Sequence, residues 1–395
     1  MLRLAAVLVL ATVLSGCLGQ RPYPAVPAGA STEAEVVGFP DVRFWGDEPP
    51  DGVAEELAVI NQQVAERARK TGSLPNRGRV DMLVLSGGGS DGAYGAGMMN
   101  GWTARGDRPE FALVTGISTG ALIAPFAFVG DDFDDELERF YTNTKTADVI
   151  VPALYDVLVG DSLGLADTQG FVDAVDRALT PEFIKRIAEE HNKGRRLWVG
   201  TTNIDAQRPV IWNIGAIAAT GRPGARVLIR DVLIASASIP GAFSPQLIQV
   251  EVNGRRYTEM HVDGGVTRQL FLYPIDLKLS EYIRSRDRRM RPGTIYVVRN
   301  TLLDPKFQAV APRVLEITAR SVSTLIKFSG VADVEIIRAQ AISDGFGLQF
   351  TSVPADFSVE EAEFFDPVYM RALYEVGYDR IVEGEAWTVA VPSRR

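Results

Sequence analysis

Residues 83–97 read LVLSGGGSDGAYGAG, an apolar run that passes without a break into glycine-rich backbone. Bare backbone at the end of a strand suits three structures: a phosphate cradle, a dinucleotide-binding turn, or an oxyanion hole that stabilises the charge formed when an ester is attacked. Gly87, Gly89 and Gly92 satisfy G-x-G-x-x-G, which decides little on its own. No G-K-S/T follows, so a P-loop is excluded. A dinucleotide site wants an acidic residue at the end of the next strand, about 20 residues on, to hold a ribose. That strand, FALVT (111–115), runs instead into Gly116-Ile117-Ser118-Thr119-Gly120. This is G-x-S-x-G, a serine on a sharp strand-to-helix turn whose small neighbours keep the crowded backbone feasible. The apolar ALIAPFAF (121–128) then reads as the helix, which Pro125 should kink or end.

The two loops make sense together. Amides of Gly88 and Gly89, in one loop with Gly87, and the Thr119 amide at a helix N-terminus suit a tetrahedral oxyanion, with Ser118 as the attacking oxygen. The competing reading has tight glycine turns with Ser118 as a helix cap. A serine nucleophile needs a base, and the chain holds two histidines. His191, in AEEHNKGRR, reads as a solvated helix end. His261 lies in TEMHVDGGV, two residues before Asp263 and on the same side of a strand. Asp263, followed by Gly264 and Gly265, is the stronger candidate, because flexible backbone there can present a carboxylate to a neighbouring strand end. It closes a hairpin whose turn is Asn253-Gly254.

The 395 residues are 46% hydrophobic and 23% charged, a globular composition, and the net charge of −9, spread along the chain without long acidic blocks, argues against nucleic acid and gives no basic patch for an anionic membrane. The start, MLRLAAVLVLATVLSGC, has one early cation and an apolar run too short to span a bilayer, as an export signal does. Its Leu14-Ser15-Gly16-Cys17 resembles the lipobox of bacterial lipoproteins, which implies removal of residues 1–16 and acylation, palmitate included, of Cys17, the only cysteine. A cysteine in an ordinary signal peptide is the bland alternative. Residues 17–50, rich in Pro, Ala and Gly, read as a flexible tether, and 51–79 as a helical extension. Beyond them, short apolar runs at 80–86, 111–116, 196–202, 209–214 and 294–300 read as buried strands. Helical patterns lie near 92–104, 119–129, 133–143, 171–191, 226–236, 311–328 and 366–382, so an α/β domain over 80–390 is expected. Residues 147–170 read as a packed helix and loop or as a lid. Tyr94, Met98, Met99 and Trp102 read as core.

Four blocks, in this order, resemble those of the patatin-like phospholipases, lipid acyl hydrolases that use a Ser-Asp dyad without histidine. They are Gly87-Gly88-Gly89-Ser90-Asp91-Gly92, Gly116-Ile117-Ser118-Thr119-Gly120, Ala235-Ser236-Ala237-Ser238-Ile239-Pro240 and Asp263-Gly264-Gly265. The likeness covers about residues 80–275. It implies a patatin-like α/β fold with a central, mostly parallel sheet flanked by helices. It further implies Ser118 as nucleophile and Asp263 as base, through an acyl-enzyme, with no cofactor and no metal. Two departures stand out: Asp91 where the family commonly has Arg or Lys, which works against anionic headgroups, and Ser238 where Ala is usual. The expected function is a membrane-anchored serine hydrolase of fatty acyl esters of (phospho)lipids. The alternatives are a catalytically silent lipoprotein that binds acyl chains or a protein on the same scaffold, and a nucleotide-binding enzyme. Leu18 after the cysteine is not an acidic retention residue, so the cell envelope, and the outer membrane where there are two, is the expected location.

Overall fold

Met82 and Val84 point to one face of a strand, Leu83 and Leu85 to the other, and all four are buried. A strand can be apolar on both faces only if helices cover both sides of its sheet. The computed structural model, which describes residues 21–144, 151–152, 166–275, 277–286, 290–305 and 307–388, shows that arrangement. Its strands in chain order are β1 (Glu35–Val36), β2 (Arg43–Trp45), β3 (Arg79–Leu85), β4 (Leu113–Ile117), β5 (Val151–Pro152), β6 (Ala166–Asp167), β7 (Arg196–Asn203), β8 (Arg208–Asn213), β9 (Gln246–Val252), β10 (Arg255–Asp263), β11 (Arg291–Leu302) and β12 (Gly347–Val353).

The centre is parallel, in the order β7-β4-β3-β11-β12. Antiparallel strands extend it past β7: β10, β9 and β1 on one branch, β8 and β2 on another. β5 and β6 form a separate two-stranded ladder. One face carries the helices Gly92–Arg105, Thr119–Val129 and Pro367–Val382, with Tyr94, Met98, Met99 and Trp102 in the core as expected. The other face is covered by the C-terminal half of the helix Val314–Asp344, through Val334, Ile337 and Ala341. Among the described residues no helix is long and apolar enough to cross a membrane.

Several expectations change. From Arg21 onward the stretch read as a tether is laid on the domain. Arg21 pairs with Asp205 at 2.6 Å, β1 and β2 add to sheet edges, and Ala34, Val36, Phe39 and Val42 are buried. Two strands of two and three residues carry no alternation long enough to read. The helical pattern at 171–191 is two helices, Gln169–Ala178 and Pro181–Asn192, split where the Thr180 hydroxyl caps the second and Pro181 starts it. The helix expected over 311–328 runs to Asp344, and β12 follows it unannounced. Pro125 sits inside a helix that continues to Val129. The signal segment, Cys17 and most of 147–170 lie outside the described residues.

Candidate active site

The sheet brings two distant loops together by letting two strands end against each other. β7 carries β8 along one edge over Trp198–Asn203. Its other edge is shared: β4 runs parallel up to the pair Ile117↔Gly200, and β10 runs antiparallel down to Asp263↔Thr201. Adjacent residues of β7 are thus partnered by the ends of two opposed strands. Ser118 follows Ile117 directly, and its hydroxyl lies within hydrogen-bonding reach of the Asp263 carboxylate.

Ser118 has φ 55° and ψ −127°, backbone space that side chains other than glycine rarely enter and that costs about 1–3 kcal/mol. The turn is held there by its neighbours. A Cβ on Gly116 would lie 2.4 Å from the Gly120 carbonyl oxygen, and one on Gly120 would lie 2.4 Å from that of Leu85, so both flanking glycines are dictated sterically. The Ser118 N–H donates to the Ser236 hydroxyl at 2.9 Å, which donates to the Gly200 carbonyl at 2.7 Å. The carbonyl of Ser238 takes the Asp263 N–H at 2.9 Å. The block Ala235–Pro240 therefore brackets both loops. As a motif it is visible in the sequence; its bracing role, which the sequence reading missed, is not.

Asp263 is almost wholly buried, and burial pushes its carboxyl up to about 6 against the opposing hydrogen bonds from Ser118 and the Gly265 N–H, the latter 2.6 Å long. His261 points to the same side of β10 as expected but is committed elsewhere. Its Nε2 is 3.0 Å from Glu259 and its Nδ1 2.9 Å from the Thr201 hydroxyl, which also receives the Trp212 indole N–H at 2.8 Å. His191 is not a solvated helix end. It is buried, and burial, with Arg196 nearby, pushes it down to about 3. Its ring fills the space that a Cβ on Gly215 would need, 2.6 Å from Nδ1, a relation nothing in AEEHNKGRR announces.

The glycine loop lies against Ser118: a Cβ on Gly87 would come 3.0 Å from that of Ser118. Among the described residues the Gly88 and Gly89 amides donate to no protein acceptor. Gly88 is pinned by Asn300, whose carbonyl oxygen would stand 1.9 Å from an added Cβ and whose side-chain amide donates to the Ser86 carbonyl at 2.8 Å. Gly92 faces Thr119, leaving 1.9 Å between a Cβ and Thr119 Oγ1. The Gln269 side chain, within 2.7 Å of a Cβ on Gly87 and 2.1 Å of one on Gly265, bridges the glycine loop and the aspartate loop. Asn300 and Gln269 carry no motif and went unread. The departure at Asp91 is tied down as well, since its carboxylate accepts the Tyr369 hydroxyl. Among the described residues no group of three or more His, Cys, Asp or Glu is placed to hold a metal ion.

A positive-φ serine after a parallel strand, glycine backbone beside it and a buried carboxylate facing it are the parts of an ester hydrolase. Residues 83–275, just under half of the chain, match the family model described as Patatin-like phospholipase; the chain carries a patatin-like phospholipase segment, which supports a lipid-ester hydrolase. No curated protein sequence matches the chain. Among solved structures it is similar to VipD from Legionella pneumophila, with 14% identity, TM-score 0.37, and coverage of 79% of this chain and 68% of that one. It is also similar to human GIVD cytosolic phospholipase A2, with 11% identity, TM-score 0.36, and coverage of 82% of this chain and 53% of that one.

Proposed function

We propose that this chain is a membrane-anchored serine hydrolase that cleaves fatty acyl esters of lipids through a Ser118–Asp263 dyad. The observation that carries the reading is the Ser118 hydroxyl within reach of a buried carboxylate pushed up to about 6, where it is ionised at neutral pH yet basic enough to take a proton. Asp263 accepts the hydroxyl proton as Ser118 Oγ bonds to the ester carbonyl carbon. The oxygen that gains the electron pair faces the amides of Gly88, Gly89 and Thr119. Collapse breaks the bond to the alcohol, which leaves with the proton from Asp263. Water, deprotonated by Asp263, then releases the fatty acid and restores Ser118. Neither histidine takes part: His261 has both ring nitrogens engaged, and His191 lies under Gly215. Gly92, Gly116, Gly120, Gly264 and Gly265 serve by allowing the loops to close.

The anchor in this reading is Cys17, lipidated in the envelope of a bacterium and, where there are two membranes, in the outer one. Arg21 is fixed by Asp205, two residues beyond the end of β7 and at the same edge of the sheet as Ser118. Cys17 is four residues from Arg21, so its backbone can lie no more than about 14 Å from that attachment point. The decisive experiment combines labelling by a serine-reactive fluorophosphonate with mass spectrometry of hydrolysed lipid mixtures. Labelling lost in Ser118→Ala, with free fatty acid released only by the parent chain, supports the proposal. A folded parent chain that takes no label leaves the silent-lipoprotein alternative standing. Cys17→Ala should release the protein from the membrane fraction without unfolding it, and unchanged partitioning would remove the anchor from the proposal.

A further inference from the structure

The helix Val314–Asp344 changes character at Gly330. From Gly330 on it packs on the sheet through Asp333, Val334, Ile337, Gln340 and Ala341, all buried. Before it, none of the described side chains from Val314 to Ser329 is buried. Gly330 lies against Gln269 and beside Arg299, near the end of β11, and Asp333 accepts the Gln269 N–H at 2.7 Å. The helix therefore leaves the core at the rim of the candidate site, and sixteen residues, about 24 Å of helix, continue past that edge of the sheet.

That exposed length is patterned. Val314 is 83% exposed, Leu325 72%, Ile317 50% and Phe328 48%, and the loop before the helix adds Phe307 at 93%. At about 100° per residue the four helical positions fall within about 80° of arc, one continuous apolar stripe. Arg313, Arg320 and Lys327, spaced by heptads, form the stripe beside it. With Glu316 the only acid, residues 307–328 carry +2 in a chain whose net charge is −9. Large exposed apolar surface marks a binding face, and an apolar stripe flanked by cations is the pattern of a helix that lies in a lipid interface.

We infer that the first half of this helix, with the loop before it from Phe307, is an interfacial element that docks on a lipid surface and sets the edge of the sheet bearing the Ser118 turn against it. The inference rests on the lipid-hydrolase reading for its purpose. Two features favour a bilayer as the occupant: the local positive charge and, on the reading that Cys17 is lipidated, the attachment of Arg21, four residues from Cys17, at the same edge of the sheet. The stripe and the anchor then face one membrane.

Two measurements on the full chain test this. In the first, Cys17→Ser combined with Leu325→Cys is labelled with an environment-sensitive dye and mixed with phosphatidylglycerol/phosphatidylcholine vesicles. Emission should rise and shift to the blue, while the same dye at Ala65→Cys, on the helix Val53–Thr71 beneath the opposite edge, should not respond. No response at position 325 overturns the inference. So does a change that needs no vesicles and follows protein concentration, since the stripe is then a contact with a second copy. In the second, Ile317→Asp with Leu325→Asp should slow hydrolysis of vesicle phospholipid by more than about tenfold while a soluble short-chain ester is cleaved within about twofold of the parent rate. Equal loss on both substrates, or on neither, counts against docking. A parent chain inert toward every ester would instead refute the hydrolase reading, and the dye would still decide the inference.

Discussion

Asp263 and His261 stand two residues apart on one strand, on the same face and both buried, yet their polar atoms are committed very differently. Around His261 every polar group is matched. Arg43 reaches in from the N-terminal segment to pair with Glu259 and lies over the Trp212 ring at 5.3 Å, and Glu259 takes His261. Burial alone would raise Glu259, but Arg43 and His261 hold it down at about 2, and burial holds His261 neutral. With the Trp212 N–H on Thr201, the Thr201 hydroxyl donates to Nδ1 and Nε2–H donates to Glu259. Asp263, by contrast, has one backbone donor and a serine hydroxyl facing it. A histidine beside a glutamate looks like two-thirds of a catalytic triad, but here it staples the N-terminal segment to the sheet. The distinction lies in free valence, not in residue type.

That contrast breaks down if the two residues respond alike to mutation. Ser118→Ala and Asp263→Asn should each cut ester turnover by at least about 10^3-fold. Steady-state kinetics on a soluble ester provide the measure, and a mild Asp263→Asn phenotype would return the base role to histidine. Gly88→Ala comes next: its Cβ cannot coexist with the Asn300 carbonyl 1.9 Å away, so the loop must move. We expect a loss of about 100-fold or more in turnover and, in thermal melts, about 1–3 kcal/mol of stability.

The third prediction concerns pH. Because Asp263 has a folded value of about 6, above the 3.8 of an unfolded aspartate, the fold holds this proton more tightly. The resulting stability is complete below about pH 4 and is lost as pH rises through about 6. Turnover should therefore show an acid limb near pH 6. Asp263→Asn should be more stable than the parent at pH 8 by on the order of 3 kcal/mol, with the gain vanishing near pH 4. An Asn variant less stable at pH 8 would mean that the carboxylate is solvated.

Ser236→Ala leaves the Ser118 amide and the Gly200 carbonyl without their shared hydroxyl, and about tenfold in turnover with about 1–2 kcal/mol of stability should go with it. His261→Ala should change turnover least, within about fivefold per folded molecule, while costing about 2–4 kcal/mol in denaturant unfolding. A deeper loss of turnover than of stability would join the two halves of the comparison.

Much of the site was legible because its geometry is steric. Gly116, Gly120 and the glycines after β3 stand where backbones touch, and only one residue type fits there, so the requirement appears in the sequence as a motif. The central strands were legible for a related reason: burial on both faces turns a strand into an apolar run. What stayed hidden depends on partners remote in the chain. Nothing near His191 says that Gly215 will make room for its ring. Nothing near Arg43 says that Glu259 waits beneath it, which is why residues 21–50 read as a tether. Asn300 and Gln269 are ordinary polar residues until the loops they brace are closed. The helix Val314–Asp344 read short because its exposed first half and buried second half place apolar residues on different faces.

The meeting of β4 and β10 along one edge of β7 also sets the order in which competence arrives during synthesis. The serine turn, its glycine loop and the helix behind it are complete once about a third of the chain exists, but the carboxylate is supplied from position 263, and the bracing Gln269 and Asn300 later still. Contacts so far apart in sequence form slowly and late. On the dyad reading, a partly made or partly unfolded chain holds a primed serine with no base and is inert toward lipid esters. Ester hydrolysis is then a reporter of the last step of folding.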